Sequence, residues 1–238
     1  HPIATDMIDI DTVKSNFDMI SYAKGASALQ QLAAYCGREN FIKGLQNYFT
    51  KFAYKNTTLD DLITELAATS GRDLKPWVAT WIQTAGVNTL RSKLEVSGDS
   101  YTSIAIAQEA PKIPAGSKEL RQHRLAVGLY DLKGSELVRR RSVELDVSGP
   151  LTEVTALRGE KVADLVLIND SDLTYAKVRL DPNSIETLKN HIGKLTDGLS
   201  RTVCWSASWD MMRDAELSAS DYINIVLARS EEHTTELQ

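Results

Sequence analysis

The chain has 238 residues, 42% hydrophobic and 25% charged, which suits one large folded domain or a few small ones and excludes disordered, collagen-like and coiled-coil classes. Its formal charge of −5, from 27 basic against 32 acidic residues, argues against a nucleic-acid or anionic-membrane partner. No run approaches the ~18 apolar residues of a membrane span, and no charged-then-apolar leader opens the chain.

The first ninety or so residues read as helix after helix. Caps are available from Ser15 to Asp18, and a helix is predicted over 20–36, with Ala26, Leu29, Ala33 and Cys36 as its buried face. Gly37 sits where a helix C-terminal glycine belongs. Phe41, Leu45, Tyr48 and Phe52 repeat the three-four spacing in a second helix. Thr58 with Asp61 reads as a capping arrangement for a third, with Leu59, Leu62, Ile63 and Leu66 inside and Gly71 as its stop. Asp73 opens a fourth, which tolerates Pro76 in its first turn, places Trp77 and Trp81 one turn apart as core, and ends at Gly86.

From there the period is alternating. Short strands are expected over 94–96, 101–107, 125–130, 137–147 and 165–168. Gly98-Asp99, Lys133-Gly134, Gly149-Pro150 and Asn169-Asp170 punctuate them as turns. This spacing suggests an antiparallel β-sandwich. After Asp181-Pro182 the helical period returns through Ile185, Leu188, Ile192 and Leu195, then Leu199, Val203, Ala207 and Met211. The ends look like those of a fragment: the chain starts at His1 without Met, and residues 229–238 resemble a translated sequencing adapter rather than a native helix end.

Local motifs for chemistry are few. His1, His123, His191 and His233 give no HExxH and no close ligand pair. There is no phosphate loop, nucleophile elbow or Walker lysine. Arg139-Arg140-Arg141 reads as a solvated run, and Cys36 with Cys204 as reduced core residues of a cytoplasmic protein. The segment from Phe17 to Ala26 differs, because Tyr22 and Lys24 share a helix's first turn and Gly25 follows at once. A helical glycine costs about 1 kcal/mol relative to alanine, so a close approach to Gly25 is expected. From spacing alone Tyr22 reads as a structural residue.

His1-Pro2-Ile3, the F-D-x-I-x-Y-x-K-G run from Phe17 to Gly25, Gly37-Arg38-Glu39-Asn40-Phe41 and Trp81-Ile82-Gln83-Thr84-Ala85-Gly86 follow one another in order. Ile168-Asn169-Asp170, Tyr175-Ala176-Lys177 and the stretch from Trp205 to Arg213 come after them. This ordered set resembles the aminopeptidase N family of zinc metallopeptidases in its actinobacterial form, beginning just after the family's zinc motif. The resemblance implies a multidomain α and β protein. Residues 1–89 would be the helical C-terminal half of a thermolysin-like catalytic domain, 90–180 a small antiparallel β-sandwich, and 181–228 the start of a helical C-terminal domain, with 229–238 the artefact tail.

It implies an enzyme that hydrolyses N-terminal residues from peptides, in which Tyr22 donates a hydrogen bond to the oxyanion of the tetrahedral intermediate. In family order the zinc ligands and the segment anchoring the substrate amine precede His1. Zinc is thus expected in the full-length parent, with no ligand in this chain, and the chain alone is expected to be inactive. The alternative is a non-catalytic helical and sandwich module for binding or scaffolding. Peptides are the expected partners, with no nucleic acid and no membrane; oligomeric state and residue preference stay open.

Overall fold

The structure is a computed structural model that describes residues 1–5 and 8–233. Five helices come first: α1 (Ile10–Asn16), α2 (Gly25–Cys36), α3 (Arg38–Lys51), α4 (Leu59–Ser70) and α5 (Lys75–Trp81), with a π-helical turn, Ile20–Lys24, leading into α2. Their starts and stops follow the local chemistry. Gly37 and Gly71 take positive φ after α2 and α4. The Asp61 carboxylate accepts from the Thr58 N–H at 2.8 Å and hydroxyl at 3.0 Å, closing the first turn of α4. Helices α3 and α4 cross closely at Gly44, where a Cβ would come within 2.8 Å of the Leu66 side chain. Around this crossing, Leu32, Leu66, Leu74, Trp77 and Trp81 form a first core, with the two indoles stacked at 5.9 Å.

The structure differs from the sequence expectations at four points here. Helix α1 was not anticipated, because none of its residues is buried and it leaves no apolar period to read. The buried face of α2 is Ala28, Gln31, Leu32, Tyr35 and Cys36, so Ala26 and Leu29 of the expected stripe face outward. A helix with two apolar stripes does not say which one packs. Leu59 is exposed rather than inside, and α5 ends at Trp81, ahead of Gly86.

Seven strands follow: β1 (Thr89–Ser97), β2 (Ser100–Glu109), β3 (His123–Lys133), β4 (Glu136–Val147), β5 (Leu151–Glu153), β6 (Leu165–Ile168) and β7 (Lys177–Arg179). They form two sheets, ordered β5-β2-β1-β7 and β4-β3-β6. The sandwich is not wholly antiparallel, since β7 runs parallel to β1 with Thr89 opposite Lys177. A three-residue strand is too short for alternation to register, so neither β7 nor its direction was legible. The three arginines are not a free basic run either: Arg139 pairs with Asp170, Arg140 with Asp131 and Arg141 with Glu160.

Helices α6 (Pro182–His191), α7 (Gly198–Arg213) and α8 (Ala219–His233) close the chain, the first two capped by Asp181 and Asp197. Leu188, Ile192, Leu195, Val203, Cys204 and Met211 pack into the same core as Leu125, Leu129 and Leu165 of the sandwich. One core therefore runs through both. Of the tail expected to be an artefact, α8 continues to His233, and residues 234–238 lie outside the described residues.

A buried polar seam joins the first core to the sandwich. The buried Arg121 guanidinium donates to Thr80 O at 2.9 Å, Asn88 Oδ1 at 2.7 Å, Thr84 Oγ1 at 2.6 Å and Ala85 O at 2.9 Å. Trp81 Nε1 and Gln31 Nε2 both donate to Gln122 O. His123 is held between Gln108 Oε1 at 2.9 Å and Thr174 Oγ1 at 2.7 Å.

Candidate functional site

The segment that carries the sequence signature folds as a short, doubly anchored turn. Asp18 opens it: its Oδ1 accepts the Ile20 N–H at 2.8 Å and the Ser21 N–H at 3.3 Å, while Oδ2 meets His1 Nε2 at 3.0 Å. This contact holds the Asp18 carboxyl below its ordinary pKa. A hydrogen bond with the Pro2 carbonyl first, and Asp18 second, raise that of His1. Ser21 Oγ donates to Asn16 O at 2.8 Å and ties the turn to the end of α1.

The five residues Ile20–Lys24 are π-helical, a geometry that is rare and is found disproportionately at functional sites. From the turn, Tyr22 and Lys24 point to opposite sides. Tyr22 is 58% exposed, its ring meets Phe17 edge-on at 5.4 Å, and among the described residues its hydroxyl has no hydrogen-bond partner. Lys24 is only 6% exposed, and its Nζ donates to Thr84 O at 3.0 Å and His1 O at 3.4 Å. Burial, with the Arg121 charge second, brings its pKa down to about 8.

Phe17, beside the Tyr22 ring, is itself exposed, as are Ile8, Ile10, Met19 and Leu29 elsewhere in this N-terminal stretch. On the Lys24 side a groove of about 410 Å³ is lined by His1, Ile20, Ile113, Lys177 and Asp214 among others, and Tyr22 is not part of its wall. The close approach expected at Gly25 is not there. Gly25 has ordinary helical φ and ψ of −61° and −45°, and a Cβ built on it meets nothing within 4 Å.

The turn can do one simple thing chemically. An exposed phenol whose O–H has no partner among the described residues can donate to an oxygen on an incoming ligand. The pairing of Asp18 with His1 and the burial of Lys24 were missed by sequence reasoning. Contacts across 17, 23 and 60 residues leave no periodic trace, and the only hint was an ammonium beside Gly25 in a helical run.

The histidines are dispersed. His1 lies at the turn and His123 in the seam, His191 ends α6, and nothing is described of the His233 side chain. Among the described residues no three His, Cys, Asp or Glu side chains are grouped to hold a metal ion, so no metal site fits here.

Comparison with known proteins places these observations. Residues 1–81 match the model of the Peptidase family M1 domain, and residues 165–238 match that of the ERAP1-like C-terminal domain. The chain is 52% identical to Aminopeptidase N of Streptomyces lividans over 233 residues, covering 96% of this chain and 27% of that protein. It is 27% identical to Tricorn protease-interacting factor F2 of Thermoplasma acidophilum, over 94% of this chain and 26% of that one. The chain thus spans about a quarter of the length of these relatives. The crystal structure of Legionella pneumophila aminopeptidase A in complex with aspartic acid superposes on 90% of this chain and 25% of its own, with a TM-score of 0.63 at 17% identity, which speaks for the fold. Matched at both ends and aligned across nearly its whole length, the chain belongs to the M1 family of peptidases.

Proposed function

We propose that this chain is part of a longer M1 aminopeptidase that hydrolyses N-terminal residues from peptides, and that Tyr22 stabilises the tetrahedral intermediate of that reaction. The relatives carrying the name aminopeptidase support the peptidase activity. The observation that carries the role of Tyr22 is its exposed hydroxyl, without a partner among the described residues, on a turn anchored at both ends. When a peptide carbonyl is attacked, its oxygen gains negative charge. The phenol O–H donates a hydrogen bond to that oxygen. A donor fixed in place before the charge develops is worth about 2.7–4 kcal/mol in a water-poor site.

In this reading residues 1–89 supply part of the catalytic domain, 90–180 the sandwich and 181–228 the start of the helical domain. Zinc belongs to the whole enzyme, and no group of described residues in this chain fits it. The chain by itself is then inactive towards aminoacyl-arylamides and, after dialysis, holds no stoichiometric zinc; one tightly bound zinc per chain would overturn this. The enzyme is proposed to work in the cytoplasm, on peptides, without binding nucleic acid or membrane. No helix among the described residues is long and apolar enough to cross a membrane.

Tyr22→Phe in the full-length protein tests the central claim, because it keeps the ring against Phe17 and removes only the hydroxyl. The expected result is a fall in kcat of about 10²–10³ with KM nearly unchanged, since the bond forms only as charge develops. A near-parental kcat would end the catalytic role.

A further inference from the structure

Lys24 sits two residues from the proposed oxyanion donor and does nothing that an apolar residue of its size would not do better for packing. Its stem is buried, yet it brings an ammonium out of water, and among the described residues its partners are the carbonyls of Thr84 and His1, with no carboxylate. Desolvating such a charge is costly, and methionine or leucine would fill the space without that cost. What the ammonium adds is a tether. It fastens the C-terminal end of the π-turn to two distant stretches of chain, just as Asp18 fastens the N-terminal end through two backbone N–H groups and the His1 ring. Both anchors meet at His1.

The tether has a geometric consequence. A π-turn holds one residue more than an α-turn, and losing that residue from the turn swings the side chains before it by about 100° relative to α2. The turn's exposed side carries Tyr22, so the direction of the phenol depends on the π geometry being held.

We propose that Lys24 is a positioning residue for Tyr22: its buried ammonium, gripped by the Thr84 and His1 carbonyls, holds the π-turn in the geometry that points the phenol outward. This rests on the catalytic reading of Tyr22. Lys24 does not touch the substrate and acts only through the turn. Without the ammonium the turn relaxes towards α-helix, and the hydroxyl leaves the line on which it meets the carbonyl oxygen.

The test is a double-mutant cycle in the full-length protein with Lys24→Met, Tyr22→Phe and both together. Lys24→Met should lower kcat about 10- to 100-fold, the cost of misplacing a catalytic group by up to an ångström, with KM little changed. In the Tyr22→Phe background Lys24→Met should cost nothing further, because there is no longer a hydroxyl to aim. A role confined to stability would lower the melting temperature and leave kcat per folded molecule alone. If Tyr22→Phe falls and Lys24→Met keeps the parental kcat, or the two losses multiply, the proposal for Lys24 is overturned while the role of Tyr22 stands. A silent Tyr22→Phe overturns both. Where Lys24→Met fails to fold, Lys24→Gln replaces it: its shorter side chain cannot span both carbonyls, and the same non-additive loss in kcat is expected, with a multiplying loss or none overturning the proposal.

Discussion

The turn around Tyr22 and the joint around Tyr130 each centre on a tyrosine, and they use the phenol in opposite ways. Tyr130 is 1% exposed, and its hydroxyl is spent on Asp170 and on Ser200 at 2.9 Å. Ser200 returns a bond to Asp170 at 3.0 Å, and Arg139 closes the group on the other carboxylate oxygen at 2.9 Å. Burial first, then Asp170, push the Tyr130 pKa far up, so this phenol is a fixed donor inside the protein. It joins β3 and β6 to the start of α7, and Gly128 leaves the room, since a Cβ there would come within 2.6 Å of Asp170 Oδ2. At the turn the groups that fix the backbone are engaged, while the phenol has no partner among the described residues. The difference separates scaffold from chemistry: a polar group that is fully satisfied holds the fold, and one kept unsatisfied at the surface is available to a ligand.

The largest effect expected on the scaffold side is acid sensitivity at the seam. His123 is buried between Gln108 and Thr174, and burial, helped by the Arg121 charge, lowers its pKa to about 3. The folded chain therefore refuses a proton that the unfolded chain takes up near pH 6.5. This stability is whole above about pH 6.5 and is lost progressively as pH falls towards 3, at roughly 1.4 kcal/mol per pH unit. Urea unfolding from pH 7 to 4.5 measures the slope, and His123→Gln should flatten it. If the variant keeps the parental slope, His123 is not the group responsible, and the seam is less dry than the structure has it.

At the Asp170 joint the expected loss is somewhat smaller. Asp170→Ala removes the acceptor shared by Tyr130, Ser200 and Arg139 and should cost about 3 kcal/mol, the low end for breaking a buried ion pair. The low end applies because Arg139 keeps about half of its side chain in water. The observable is a lower urea midpoint at unchanged slope. A loss within experimental error would make the joint no more committed than the turn and would dissolve the contrast between the two tyrosines.

How much of this was legible in the sequence follows from what each feature needs. Turns and helix starts are local chemistry, so Gly98-Asp99, Lys133-Gly134, Gly149-Pro150 and the helix start at Asp181-Pro182 stand where the residues put them. The tryptophans at 77 and 81 are core, as aromatics one turn apart imply. Asn169-Asp170 was legible as a turn, and Asn169 does take positive φ, but nothing local told that Asp170 would be buried against Tyr130, which is forty residues away in the chain. The same applies to Lys24, whose partners are backbone carbonyls without a side-chain signature. The site itself was legible only as far as Tyr22, and through resemblance rather than spacing. Its exposure, its anchors and the π-turn beneath it are tertiary facts.

The smallest effect sits beside the site and bears on what the turn is for. Gly25 was expected to admit a close neighbour, and the described residues leave its Cα–H facing open space in a plain helical conformation. On those terms glycine is simply a poor helix residue, more costly to order than alanine and contributing no contact in exchange. Gly25→Ala should therefore stabilise this chain by about 0.5–1 kcal/mol, through the restricted freedom of its unfolded state and with no change in the fold. Chemical denaturation of the two chains side by side reads this directly. A destabilised variant would mean that the turn needs more freedom at its C-terminal end than the helical angles of Gly25 show. In the full-length protein the same substitution has a second reading: should alanine stabilise the chain yet lower kcat, the space over Gly25 is reserved for something that approaches the backbone beside Tyr22 during turnover.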